Sequence, residues 1–231
     1  MKILKFVILL TILATISCAQ NKKQKQQADK KSLLNKEYII AVLDTVYRDE
    51  QEPIQLRDAM MEKYGVESKQ ANKYQELYER NHPINEKKVR EILDIYGWPA
   101  IEVIGEQGNI TICAVIQHSD NDIRIKYLPL MRKAVNDKQL HPRFLVRAED
   151  RIATERGDLQ IYGGQMKYYP ETKTFNVWPV YDPINIDKRR AEIGLGTIAE
   201  HLKNRFNFEW NLEEQIKRTE KFEKERNSNK K

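Results

Sequence analysis

The sequence predicts a mainly α fold, a single helical domain with one small β-hairpin near residues 159–181. Three observations carry that expectation. From Leu34 to Ala153 apolar residues recur every three or four positions, in runs that Gly and Pro close. After Gly157 this period gives way to aromatic and β-branched residues on both sides of Pro170-Glu171-Thr172-Lys173. The body between two polar ends is about 180 residues long, which suits one domain with one core.

At the start of the chain, Lys2 and Lys5 precede an apolar run from Phe6 to Ile16, too short to span a bilayer and laid out as a secretory signal. Ser17-Cys18 at its end resembles the lipobox of bacterial lipoproteins, although Thr15 and Ile16 stand where that pattern has leucine and a small residue. The resemblance implies a signal peptide over 1–17, a lipidated Cys18, a lipid bilayer as partner, and a cell-envelope location facing the periplasm or exterior. Ordinary secretion with cleavage nearby is the alternative. Cys113 is then the remaining thiol, with no internal partner, and its apolar neighbours suit a buried small hydrophobe.

Residues 18–31 are polar and lysine-rich, a flexible basic tether after the lipidated cysteine. Of the net charge of +6, the first 31 residues hold seven basic and one acidic group, and residues 211–231 hold seven and five. The body is left at −2, so the high pI belongs to the ends and nucleic acid is not expected as a partner.

Within the domain, residues 32–210, Leu34, Tyr38, Ala41, Val42, Thr45 and Val46 mark a first helix capped by Ser32 and running to about Arg48. Pro53 opens a second, with Leu56, Ala59, Met60 and Tyr64 inward and Gly65 as its stop. Ser68 caps a third to about Arg80, and Asn85 starts a fourth with Val89, Ile92, Leu93 and Tyr96 inward, ended by Gly97-Trp98-Pro99. Residues 110–116 alternate like a strand and equally suit a buried helix; a helix capped by Asn109 is expected. Another spans Asp122 to Val135, with Ile125, Leu128, Leu130 and Met131 inward and Pro129 bending or splitting it. Pro142 opens the next, which buries Leu145, Ala148, Ile152 and Ala153 and stops at Gly157. Leu159–Tyr169 and Thr174–Tyr181 form the hairpin, and helices return over Asp187–Ile193 and Thr197–Phe206. The tail, 211–231, is charged, with Leu212, Ile216 and Phe222 marking an exposed helix and a disordered end.

Val115 to Asp122 delivers a histidine and two carboxylates after an apolar run. His118 is the candidate general acid or base because its ordinary pKa lies near neutrality, and Asp120 or Asp122 is in reach to orient it. Equally, His118 can close a buried helix and the aspartates open the next. A metal at His118, Asp120 and Asp122 is the weaker reading, since that spacing converges only on extended backbone; no metal and no cofactor is expected. Asp150 and Arg151 diverge by about 100 degrees on a helix, so they cannot share one pocket in the same way. Arg151 is a planar fork for an anion, or else a buried ion-pair tie.

Gln160, Tyr162 and Gln165 bracket two glycines, which suits a tight turn or the close approach of a ligand or another segment. Arg189 and Arg190 open a helix, where cations need an answering acid, Asp182 or Asp187, or a ligand. Gln117 and Arg190 complete the candidate ligand contacts. Gly194 to Ala199 matches a dinucleotide fingerprint in form only, because no strand precedes it. Trp98 and Trp178 each precede a proline and read as turn packing first.

Gly97-Trp98-Pro99, Gln117-His118 with Asp120, Asp150-Arg151, the run Gln160 to Gln165, and Asp187 with Arg189-Arg190 ahead of Gly194-Leu195 occur in that order. This set resembles an uncharacterised bacterial family, a domain of unknown function, over about residues 33–202. Asp49, Gln51 and Arg57 are similar to its N-terminal polar set. Gly164 stands where the family more often has threonine, and Glu50 separates Asp49 from Gln51. The resemblance implies a fold and a list of polar positions, and no reaction.

Three function classes follow. One is a polar pocket around His118 binding a small molecule, anionic or not, or a peptide. A second is a hydrolase or transferase with His118 as acid or base and Arg151 or Arg190 holding an anion. The third is a structural or interaction lipoprotein in which the polar motifs are internal ties and Tyr74 and Tyr78 offer a contact surface. No nucleophile elbow, phosphate loop or zinc spacing favours the enzyme.

Overall fold

A computed structural model describes residues 35–170 and 173–228. The expected signal peptide, Cys18, the basic tether and the Ser32 cap lie outside these residues. The described chain is mainly helical with one two-stranded antiparallel hairpin. Helix α1 covers residues 35–64. It is followed by α2 (Lys69–Tyr96), α3 (Ile101–His118), α4 (Asn121–Asn136) and α5 (Pro142–Glu155). Strands β1 (Met166–Tyr169) and β2 (Thr174–Val177) come next, then a 3-10 turn at Pro183–Asn185, α6 (Ile186–Glu192), α7 (Ile198–Phe206) and α8 (Leu212–Ser228).

Helices α1 and α2 are each longer than expected, because prolines at 53 and 83 sit inside continuous helices. Pro53 has no N–H for the carbonyl of Asp49, four residues back. Asn81 Nδ2 of α2 supplies that donor at 3.1 Å, so the break is repaired from the neighbouring helix. Pro129 likewise lies within α4 without splitting it. Ser68 does cap α2, accepting from Ala71 N–H at 3.2 Å.

The buried face of α1 includes Ile39, Leu43, Val46 and Glu50, while Tyr38 is exposed, as are Leu56 and Tyr64, which the sequence places inward. The run from Tyr38 to Val46 is apolar around most of the helix, so sequence period leaves its phase open. Residues 110–116 are helical, but α3 begins at Ile101 and kinks at Gly105, whose φ is 63°. Asn109 is therefore no cap: it is buried, accepts Trp98 Nε1–H at 2.8 Å and donates to the Gln139 carbonyl at 3.0 Å.

Two cores result. The larger gathers Val46, Val89, Ile92, Ile112, Ile116 and Met131 from α1 to α4, with Ala148 of α5. The smaller holds Val177, Val180, Ile186, Ile198 and Leu202 beneath the hairpin and α7. Helix α8 docks on the second unit through polar groups. Buried Thr219 bonds both the N–H and carbonyl of Val180, and Gln215 donates to the Trp178 carbonyl at 3.2 Å. These side chains meet backbone groups that the short strand pair leaves open.

Candidate functional site

The last turn of α3 is fixed by its apolar face, Ile112, Val115 and Ile116, which carries Gln117 and His118 to the edge of the larger core. A helix end leaves carbonyls without partners. Here two arginines take them: Arg151 of α5 donates to the Gln117 carbonyl at 2.6 Å, and buried Arg124 of α4 donates to the same oxygen at 2.9 Å and to the Ser119 carbonyl. Arg124 is answered by Glu155, to which Arg151 also comes within 3.9 Å. Cations at this end also complement the helix dipole.

His118 is held from α2. Its Nδ1 shares a 2.9 Å hydrogen bond with the Tyr78 hydroxyl, and the Tyr78 ring stacks on His82 with centroids 5.6 Å apart. Behind them lies Glu50, 2 % exposed, which accepts from His82 Nδ1 at 3.2 Å and from Asn85 Nδ2 at 3.0 Å. Partial burial and the Arg151 charge lower the His118 pKa, so the ring is neutral at pH 7. Burial, then the charge of Glu50, pushes the Tyr78 hydroxyl up to about 12 and keeps it protonated. Asp120 occupies the N-cap position of α4, where its carbonyl accepts the N–H groups of Ile123 and Arg124, and Asp122 falls in the first turn. The expected orienting role of these aspartates passes to Tyr78.

Two cavities meet at this wall. The first, about 360 Å³, lies on the seam between the two cores, and the second, about 620 Å³, opens toward α1 and α2. Gln117, His118 and Arg151 line both. The first adds Gln165, Arg147 and Arg205 beside the apolar Ile110, Phe144 and Phe206, and among the described residues no carboxylate lines it. The second adds Arg57, Tyr78 and Arg124 with the acids Asp120 and Glu155. In the first cavity, Cys113 is 1 % exposed and burial pushes its thiol pKa up, which leaves it an inert part of the lining.

The other candidate ligand contacts fall elsewhere. Gln160 is fully buried and spends its amide on the Gln165 and Trp178 carbonyls and the Gln165 N–H. Arg190, 4 % exposed, donates to the Gly196 and Tyr162 carbonyls. Both are internal ties that line neither cavity: the Gln160 amide is fully bonded, and Arg190 spends Nε and Nη1 on backbone carbonyls. Tyr162 is half-buried and lines neither cavity. Asp150 and Arg151 do point apart: Asp150, fully buried, accepts the N–H groups of Ile161, Tyr162 and Gly164 and so pins the loop that delivers Gln165. Gly163 in that loop has φ 79°, and a Cβ there would come within 2.6 Å of Ile198. A Cβ at Gly164 would meet Asp150 Oδ2 at 3.2 Å, which makes the missing threonine a neighbour of that carboxylate.

His82, Glu50, Arg147 and Arg205 escape sequence reasoning, and Tyr78, expected on a contact surface, is instead partly buried against His118 and His82. Tyr78 and His118 are forty residues apart, and only the packing of α2 on α3 joins them. The Tyr78-to-His82 spacing of four was the one available signal, since it puts both rings on one helical face. Among the described residues no group of three or more His, Cys, Asp or Glu is arranged to hold a metal ion. Nor is any helix among them long and apolar enough to cross a membrane.

No curated protein and no solved structure matches the chain. The model of one family, described as a family of unknown function, matches residues 55–208, which include both walls of the first cavity and every ordered motif from Gly97 to Leu195. Asp49 and Gln51 lie before that span and Arg57 within it. The chain belongs to this family, DUF6624.

Proposed function

We propose that this chain is a membrane-tethered lipoprotein whose folded domain binds a small anionic molecule with an apolar part, in the cavity bounded by Arg147, Arg151, Arg205 and His118. One observation carries the reading: among the described residues three guanidinium groups line that cavity and no carboxylate does. Arg205 has no carboxylate partner among the described residues, so its charge is open to an arriving anion. The apolar lining suits the remainder of such a ligand, and Gln117 and Gln165 offer amides to orient it. An aromatic sulfonate is a suitable probe in titration calorimetry. Binding at least about tenfold weaker in Arg147→Gln/Arg205→Gln supports the site, a loss of about 1.4 kcal/mol. Unchanged binding refutes it.

A second reading, hydrolase or transferase chemistry with His118 as general acid or base, draws on the Tyr78 bond to Nδ1. That bond leaves Nε2 as the ring nitrogen available to a substrate. The tether rests on the lipobox-like Ser17-Cys18. Radioactive palmitate incorporation that disappears in Cys18→Ala supports an envelope-anchored lipoprotein, and label that persists excludes Cys18 as its site.

A further inference from the structure

The charge balance of the first cavity narrows the kind of anion it takes. Among the described residues Arg147 and Arg205 pair with no carboxylate, and Arg151 has Glu155 only at 3.9 Å while Arg124 holds that acid closely. A carboxylate ligand brings one charge to this excess. A tetrahedral dianion brings two, with oxygens enough for several guanidinium forks.

His118 stands at the same wall, and charged or titratable groups face it from four helices. Glu50 and Arg57 come from α1, Tyr78 and His82 from α2, Asp120 and Arg124 from α4, and Arg151 and Glu155 from α5. Its Nδ1 is taken by Tyr78, and no protein partner is recorded for its Nε2 among the described residues. Burial and Arg151 together keep the ring neutral. A dianion seated against Arg151 cancels the second of these and presents an acceptor for a second N–H, so both effects favour the imidazolium.

We infer that the first cavity takes a tetrahedral dianion of the phosphate-monoester type, carrying an apolar body, between Arg151 and His118, and that His118 takes up one proton as it binds. This rests on the anion-binding reading above. The proton comes from solvent and leaves both ring nitrogens protonated, no covalent bond is made or broken in the ligand, and Nε2–H donates to a ligand oxygen.

Titration calorimetry of the whole chain tests this with sulfate, a dianion that does not itself titrate between pH 5.5 and 8. Sulfate affinity falls by about tenfold per pH unit between the His118 pKa without and with anion. Over that window binding takes up close to one proton, read from the dependence of the heat on buffer ionisation. Acetate binds at least about tenfold more weakly at pH 6. In His118→Gln the pH profile flattens at the weak, high-pH level. Should that variant fail to fold, the His118 ring resonances of the wild type report the same coupling, titrating at higher pH in saturating sulfate. Phenyl phosphate and a short-chain phosphatidic acid carry one headgroup on a soluble and a lipid body. Either exceeding inorganic phosphate supports the apolar-body assignment and identifies the source, and neither doing so overturns it. Sulfate affinity that is flat with pH, or acetate binding as tightly as sulfate, overturns the dianion and its proton. The anion pocket then stands if Arg147→Gln/Arg205→Gln still weakens binding at least about tenfold. If no anion binds, the pocket reading falls as well.

Discussion

Asp150→Asn isolates the tie between α5 and the loop that carries Gln165 to the cavity. The wild-type carboxylate is fully buried and accepts Ile161, Tyr162 and Gly164 N–H at 2.8, 2.9 and 2.8 Å. In the variant one oxygen still serves Ile161 and Tyr162, but an NH2 group now faces the Gly164 N–H. Leaving that buried donor unmet costs about 1–3 kcal/mol. At about 2–4 °C of melting temperature per kcal/mol for a domain of this size, the loss is well within reach of a thermal melt.

The pH dependence sharpens the test. Burial raises the Asp150 pKa from 3.8 to about 6, against the pull of the three N–H bonds. The folded state therefore keeps a proton that the unfolded chain has released. The stability this contributes is full below pH 3.8 and is lost as pH rises through about 6. A shift of that size corresponds to about 3 kcal/mol. An asparagine does not titrate, so the shortfall of the variant against wild type widens by about 2 kcal/mol as pH falls from 7.5 to 4. Urea unfolding of both proteins, followed by circular dichroism at four pH values across that range, reads the difference directly. A shortfall that shrinks toward low pH refutes the raised pKa, and no shortfall at any pH refutes the assignment of Asp150 as the loop's anchor.

Gly163→Ala combines a left-handed φ with a Cβ 2.6 Å from Ile198, so a loss of about 2–4 kcal/mol is expected from strain and overpacking together, measured by chemical denaturation. Asn81→Ala removes the donor that serves the Asp49 carbonyl opposite Pro53; it costs about 1–2 kcal/mol and increases amide exchange around residues 49–54. Arg151→Gln takes away the charge that helps keep His118 neutral, so the His118 pKa moves up, as followed by proton NMR of the ring; a downward move contradicts the stated cause.

Much of the fold was legible because helices and hairpins advertise themselves locally. Val89, Ile92 and Leu93 share one face of α2, Ser68 caps it, Gly157 ends α5, and the change to β-branched and aromatic residues marks β1 and β2. Boundaries at proline were misjudged for a physical reason. The cost of Pro53 inside a helix depends on whether another element donates to the freed carbonyl, and Asn81 does so across the packing of α1 on α2. The phase of α1 was hidden for a related reason, since a nearly continuous apolar run buries whichever face its neighbours meet.

The polar motifs divide along the same line. Sequence alone determined the mainly helical class, the inventory of bonding groups at Gln117, His118, Arg151, Gln160, Gln165 and Arg190, and the divergence of Asp150 from Arg151, because helical geometry is a local property. Only the tertiary structure decided which of these groups face open space. Gln117, His118, Arg151 and Gln165 reach the first cavity, whereas Gln160 and Arg190 bond backbone groups inside the fold and line neither cavity. A guanidinium or an amide carries the same donors whether it grips a ligand or a backbone carbonyl. What separates the two is the position of oxygens supplied by residues far away in the chain.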